Sequence, residues 1–121
     1  MSKTIVPIIH AVRDSKLQAI VQRSMPLFYR EGADPTLDRP AHVWAGSSLS
    51  WFGDRLALIQ DDANFLVLIE PHSFQVEAIP LPASEGGLRQ FDDLRGNKRF
   101  KLDLEACVTV PTPDGDLLLA F

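Results

Sequence analysis

The most regular hydrophobic pattern lies between residues 44 and 82, where short apolar segments alternate with polar turns. The segments WAGSSLSWF, RLALIQ, FLVLIE and FQVEAIPLP each have the length and alternation of a strand. Gly53-Asp54, residues 61–64 and residues 71–73 separate them and are rich in turn-forming residue types. The pattern therefore predicts a four-stranded antiparallel meander, the size of one propeller blade.

The chain before this region, residues 1–39, predicts a strand followed by loops. Residues 4–12 (TIVPIIHAV) are rich in β-branched side chains, and Pro7 favours an edge position in a sheet. Residues 15–28 have helical spacing of apolar side chains but end at Pro26, so their structure stays ambiguous. Residues 30–41 contain two prolines, a glycine and several charges, which is typical of a loop.

A second, partial copy of the meander follows the first. The segment LEACVTVPTPDGDLLLAF resembles AGSSLSWFGDRLALI, although any two β-hairpins share some of this pattern. The matched positions are Gly53-Asp54 with Gly115-Asp116, Leu56 with Leu118, Leu49 with Val108, and Trp51 with Val110. The predicted fold is all-β: residues 40–121 form propeller-type antiparallel four-stranded meanders, about one and a half blades.

Composition excludes several classes of protein. A net charge of −4 argues against general binding to nucleic acid or to an anionic membrane. The single cysteine, Cys107, excludes an internal disulfide and a cysteine-rich zinc site. The chain has no signal-peptide pattern and no apolar run long enough to span a membrane. We therefore expect a cytoplasmic protein.

Two stretches carry a resemblance to a known family. WFGDRLALIQDDANFLVLIEP, followed by EGGLRQFDDLRGNKRFKLDLEA, resembles the N-terminal part of an uncharacterised bacterial β-propeller family. That family is distantly similar to phytase-like and esterase-like propellers, and the resemblance covers about residues 40–121. It implies that further blades follow, so the chain looks like an N-terminal fragment with an unpaired edge that favours self-association.

The acidic residues before the last hairpin predict a metal site. Glu105 lies where the chain enters the inner strand of the second blade, and Asp103 lies two residues earlier, on the same side of an extended backbone. The residues Leu104-Glu105-Ala106 are similar to a glutamate motif of gluconolactonase-like propellers, with Ala106 where a glycine is expected. Carboxylates suit Ca²⁺ or another divalent cation. The alternative is that Glu105 pairs with Arg99 or Lys101.

The turn at residues 61–64 adds two further candidate ligands, Asp62 and Asn64. Their side-chain oxygens are ligands for a hard cation. Asp and Asn are also favoured in turns for their local hydrogen bonds, so a purely structural role is the alternative.

The loop between the two meanders predicts a binding site for an anionic small molecule. Gly86-Gly87 and Gly96 allow it to bend over the channel mouth of a propeller. Arginine recognises phosphate and carboxylate groups through paired hydrogen bonds, whereas mutual ion pairs within the loop are the alternative. The candidate ligand-binding residues are Arg89, Asp92, Asp93, Arg95, Asn97 and Lys98.

Three functions remain open from the sequence. The first is a metal-dependent hydrolase of esters, lactones or phosphoesters, because a bound cation polarises such groups and activates water. The second is a non-catalytic propeller that binds a small molecule or a protein. The third is an inactive truncated fragment.

Overall fold

The computed structural model describes residues 6–121, and these form an all-β structure with two antiparallel sheets. Strands β1 (Gly46–Phe52), β2 (Arg55–Gln60), β3 (Phe65–Ile69) and β4 (Val76–Pro80) form a four-stranded sheet in chain order. Strands β5 (Cys107–Thr112) and β6 (Gly115–Ala120) form a hairpin. The helical content of residues 6–121 is three 3₁₀ turns, at Pro35–Leu37, Glu85–Gly87 and Lys98–Phe100. The structure thus confirms the predicted meander and a second hairpin. None of the described helices is long and apolar enough to cross a membrane.

One face of the large sheet carries the main core. Val67, Ile69 and Val76 are buried there, and Leu56 and Leu58 lie opposite them in register. The segment from residue 27 to residue 43 covers this face. Tyr29 is buried in the same cluster, and the Arg30 N–H donates to the Val76 carbonyl at 2.9 Å. Residues outside the sheet therefore complete its core.

The opposite face of the sheet packs against the hairpin. Ala57 and Ile59 are buried on this face, in register with Ser50 and Ser48 of β1. The Cys107 N–H donates to Ser48 Oγ at 3.1 Å, and Ser50 Oγ lies 3.1 Å from Thr109 Oγ1. The hairpin is therefore joined to the sheet through β1 and β5.

The predicted strand at residues 4–12 is wrong for residues 6–12, while residues 4 and 5 lie outside the described part of the chain. Residues 6–26 contain neither strand nor helix, so the helical spacing of residues 15–28 forms no helix. The local structure there is one turn, in which the Leu17 N–H donates to the Asp14 carbonyl at 3.2 Å. A β-branched segment becomes a strand only when it has a ladder partner, and residues 6–12 pair with no described strand.

The second hairpin turns two residues earlier than the predicted repeat alignment requires. Thr112 pairs with Gly115, as Phe52 pairs with Arg55 in the first hairpin. The equivalent of Gly53-Asp54 is therefore Pro113-Asp114, and matching it to Gly115-Asp116 is wrong. Within β5 the correction is a single residue, because Leu49 corresponds to Thr109 and not to Val108. Side chains alternate across a strand, so this shift exchanges the two faces of β5 in the comparison.

Candidate functional site

Two of the four predicted metal ligands, Asp62 and Asp103, contact a lysine. Lys101 Nζ lies 2.7 Å from Asp61 Oδ1, 3.1 Å from Asp62 Oδ1 and 3.0 Å from Asp103 Oδ1. Asp61 and Asp62 come from the turn after β2, whereas Lys101 and Asp103 precede β5. The hydrogen bond to Asp61, followed by that to Asp103, raises the pKa of Lys101 above its usual value. The ammonium group thus lies at the centre of three carboxylates, which we call the Lys101 cluster.

Three carboxylates in this region are close enough to share a cation. Asp61, Asp103 and Glu105 each present an oxygen, and these oxygens lie within 4.8 Å of one another. Asp103 adopts a left-handed backbone conformation with φ of 58°, which is uncommon for a residue with a side chain. Asp62 joins the group through Lys101. The structure therefore brings together Asp62, Asp103 and Glu105, and adds Asp61, which the sequence indicated only as a turn residue.

Asn64, the fourth predicted metal ligand, lies apart from this group. Its side chain is buried, with 2% exposure, and its Nδ2 donates to the Pro82 carbonyl at 3.0 Å. Its backbone N–H donates to the Arg89 carbonyl at 2.8 Å. These bonds tie the turn after β2 to the loop that follows β4.

Arg95 of the predicted ligand loop is held by Asp38. The guanidinium donates to both carboxylate oxygens, at 2.8 and 3.0 Å, the paired geometry by which arginine recognises a carboxylate. Asp38 also accepts from the backbone N–H groups of Arg89 and Gln90, at 2.8 and 2.9 Å. Burial opposes ionisation of Asp38, but these hydrogen bonds outweigh it and lower its pKa to about 2. We call this arrangement the Asp38 clamp.

The other residues of the loop also contact the chain itself. Arg89 Nε donates to the Leu81 carbonyl at 2.8 Å. Asn97 is buried, and its Nδ2 donates to the Gln90 carbonyl at 2.9 Å. The remaining contacts are those of Asp92 with the Arg95 N–H at 2.6 Å, and of Lys98 with Asp93 at 3.5 Å. All six candidate ligand residues thus contact other groups of the chain in this conformation, and the exposed pair of Asp93 with Lys98 is the weakest of these contacts.

Comparison with known sequences identifies the family. Residues 42–121 match the sequence model of a family of unknown function, DUF6929. The chain belongs to this family. No curated protein and no solved structure matches the chain.

The DUF6929 region contains all six strands and the whole Lys101 cluster. Asp38, in contrast, lies before the matched region, in the segment that the sequence predicted only as a loop. Asp38 lies 57 residues from Arg95, and no local pattern connects the two. The Asp38 clamp therefore joins the DUF6929 region to residues that precede this region.

A cavity of about 340 Å³ lies outside both clusters in this DUF6929 member. It is lined by Tyr29, Glu31, Arg39, Glu77 and Ala78, none of which the sequence indicated as a site residue. Arg39 Nε donates to the Gly32 carbonyl at 3.0 Å, and its guanidinium lies 5.9 Å from the centre of the Tyr29 ring. The lining combines one cation with two carboxylates, so it favours no single ligand charge.

Proposed function

We propose that this DUF6929 member is a non-catalytic protein-binding module of β-propeller type, which binds through the open face of its second hairpin. One observation carries the proposal. Val108 pairs with Leu119 and Val110 with Leu117 on the same face, and all four side chains are exposed by 37–55%. A contiguous apolar patch of this kind on a sheet is typical of an interaction site. We call these four residues the outer face.

The packing order of the sheets supports the propeller-type architecture. Leu49 and Trp51 lie on the face of the large sheet that residues 27–43 partly cover, and the other face packs on β5. In the corrected register, Thr109 is the equivalent of Leu49, and its side of the hairpin contacts β1. Val108 and Val110 of the outer face then correspond to Ser48 and Ser50 of β1. The outer face is therefore equivalent to the face of the large sheet that contacts the hairpin. Stacking in which each sheet buries a face against the next is expected of propeller blades and supports the proposal.

The electrostatics of the two polar clusters favour binding over catalysis. A general acid or base works best with a pKa near the working pH. The Asp38 clamp lowers the pKa of Asp38 to about 2, and the Lys101 cluster raises the pKa of Lys101. Both shifts move the pKa values further from neutral pH and stabilise the charged forms, as expected for structural ion pairs.

Binding of a hydrophobic dye tests the outer face. We expect the chain to enhance the fluorescence of an anilinonaphthalene dye, and the double change Leu117→Ser and Leu119→Ser to remove about half or more of it. The matched control is Leu17→Ser with Ile20→Ser, which removes two apolar side chains of 78% and 75% exposure far from the hairpin in sequence. Absence of dye binding, or an equal loss in both variants, would contradict the proposal.

A divalent-cation-dependent hydrolase of esters, lactones or phosphoesters is the second candidate. The observation that favours it is the close approach of Asp61, Asp103 and Glu105, whose oxygens lie within 4.8 Å. Ca²⁺ takes six to eight oxygen ligands, and a bound cation would polarise a carbonyl or phosphoryl oxygen of a small-molecule substrate. Lys101 competes with a metal ion for these carboxylates, so the two cations exclude one another.

Titration calorimetry with calcium tests this second candidate. Lys101→Met should tighten calcium binding by about tenfold or more, because it removes a positive charge that lies close to the carboxylates. Glu105→Gln, made in the Lys101→Met background, should reverse the gain. Thr112→Val, remote from the carboxylates in the hairpin, is the control. Absence of calcium binding by both the natural chain and the Lys101→Met variant would exclude the cation site.

A further inference from the structure

Strand β6 has a free edge in the part of the chain that the structure describes. Its one neighbour is β5. Ala106 and Phe121 exchange both backbone hydrogen bonds, at 2.9 and 3.2 Å, which makes them a hydrogen-bonded pair of the antiparallel ladder. Such pairs alternate with non-hydrogen-bonded pairs, so Val108–Leu119 and Val110–Leu117 are also hydrogen-bonded.

The backbone groups at the free edge follow from this alternation. The residues of β6 in non-hydrogen-bonded pairs are Asp116, Leu118 and Ala120, and their N–H and C=O groups point away from β5. Asp116 lies opposite Pro111, which has no N–H to donate. A row of unpaired backbone groups of this kind is a template for an added strand.

An unpaired segment of the same chain has the properties of such a strand. Residues 6–22, which we call the N-terminal arm, are exposed throughout, and Val6, Ile8, Ile9 and Val12 are 77–89% exposed. β-Branched residues favour the extended conformation of a sheet. Pro7 lacks an N–H, so its backbone must point away from a ladder. The backbone groups that point towards the ladder are then those of Ile8, His10 and Val12.

The charges of the two partners are complementary. The arm carries Arg13 and Lys16 against a single carboxylate, Asp14. The hairpin region from residue 105 to residue 121 carries Glu105, Asp114 and Asp116 and no basic residue. This arrangement favours pairing between an arm and a hairpin over pairing between two hairpins, because like charges at an interface repel.

We propose that residues 6–12 of one copy add as a strand to the β6 edge of a second copy of this chain. The inference rests on the proposed function and names the partner at the hairpin. An antiparallel arm that pairs with Leu118 through His10 also places Ile9 beside the outer face, where it covers apolar surface. Residues 13–22 span up to about 33 Å when extended, which allows two copies to exchange arms reciprocally.

Proline substitution at neighbouring positions of the arm tests the ladder. His10→Pro removes an N–H that faces β6, whereas Ala11→Pro removes one that faces away and serves as the matched control. We expect concentration-dependent dimers of the natural chain in sedimentation equilibrium. His10→Pro should raise their dissociation constant about tenfold or more, since it breaks a ladder bond, and Ala11→Pro should leave it within about threefold.

Complementation between two variants identifies the second copy as the partner. Leu117→Lys places a charge beside the β6 edge, so this variant alone should stay monomeric, as should His10→Pro. Mixed together, His10→Pro supplies a normal edge and Leu117→Lys a normal arm, and we expect them to form a one-to-one heterodimer.

The outcomes separate this inference from the proposed function. If the dye binds at the outer face and His10→Pro leaves the dimer dissociation constant unchanged, the pairing of the arm with β6 is wrong and the binding face is retained. A monomeric natural chain would overturn the inference, and protection of arm amides from hydrogen exchange in that monomer would assign the arm to its own chain's edge. Loss of both dye binding and dimers would overturn both proposals.

Discussion

Replacing Asp38 with Ala is expected to lower the free energy of unfolding by about 3 kcal/mol. The Asp38 side chain is 15% exposed and accepts hydrogen bonds from Arg95 and from the backbone N–H groups of Arg89 and Gln90. Its removal leaves a guanidinium and two backbone donors without their acceptor. The bonds from Arg89 to the Leu37 carbonyl and from Gln90 to the residue 38 carbonyl remain, so the loop after β4 is held less firmly to residues 27–43. Urea unfolding, with the midpoint and slope both measured, gives the change directly.

Asp93→Ala is the matched control for this experiment. Asp93 also forms an ion pair in the loop, with Lys98 at 3.5 Å, but its side chain is 91% exposed. An exposed pair contributes little, so the expected change is within about 0.5 kcal/mol. Equal effects of the two substitutions would contradict the structural role of Asp38. If Asp38→Ala leaves the free energy of unfolding unchanged and binds phosphate more tightly than the natural chain, Arg89 and Arg95 are instead favoured as ligand-binding residues.

The pH dependence of stability provides an independent measure of the Asp38 clamp. The pKa of Asp38 is about 2 in the folded chain, against an ordinary value of 3.8. A carboxylate with a lowered folded pKa stabilises the fold above its unfolded pKa, and this contribution is lost as the pH falls towards the folded pKa. The stability difference between the natural chain and Asp38→Asn should therefore be full above pH about 4 and shrink as the pH falls towards about 2.

The strands were predictable where their own residues determine the pattern. The predicted bounds of β2, residues 55–60, agree with the structure, because an unbroken apolar run between two turns leaves few alternatives. The predicted fourth strand began too early, at Phe74, which has φ of 58° and belongs to the preceding turn. Residues 6–12 have strand-like composition but pair with none of the strands that the structure describes. Strand pairing is a long-range property that composition does not contain.

The candidate site was predictable in its residue types and not in its contacts. Asp103 and Glu105 were indicated by their acidity and position, and the structure places them within reach of Asp61. The cation that faces Asp61 and Asp103 is Lys101, which lies 40 residues from Asp61. A sequence shows that carboxylates and basic residues are both present in a loop. It does not show which opposite charge the fold brings to each carboxylate.

Replacing Gln60 with Met is expected to destabilise the chain by about 3 kcal/mol, because it removes a buried hydrogen-bonding centre without changing side-chain volume much. Gln60 is 2% exposed at the end of β2. Its Nε2 donates to Tyr29 Oη and to the Phe65 carbonyl, both at 3.1 Å, and its Oε1 accepts from the Trp44 N–H at 2.8 Å. One amide thus connects the covering segment, the entry to β1 and the start of β3.

The ionisation of Tyr29 reports the same bond without reference to stability, since Tyr29 is the single tyrosine of the chain. Burial raises its pKa, and the hydrogen bond from Gln60 partly opposes that rise by stabilising the phenolate. Gln60→Met should therefore raise the pKa of Tyr29 further, as measured by ultraviolet titration. Gln75→Met, at an exposed position of the turn before β4, should change neither property. A tyrosine titration that Gln60→Met leaves unchanged would show that this amide does not hold the covering segment. Residues 27–43 would then depend on their apolar packing, on the backbone hydrogen bond from Arg30 to Val76 and on the Asp38 clamp.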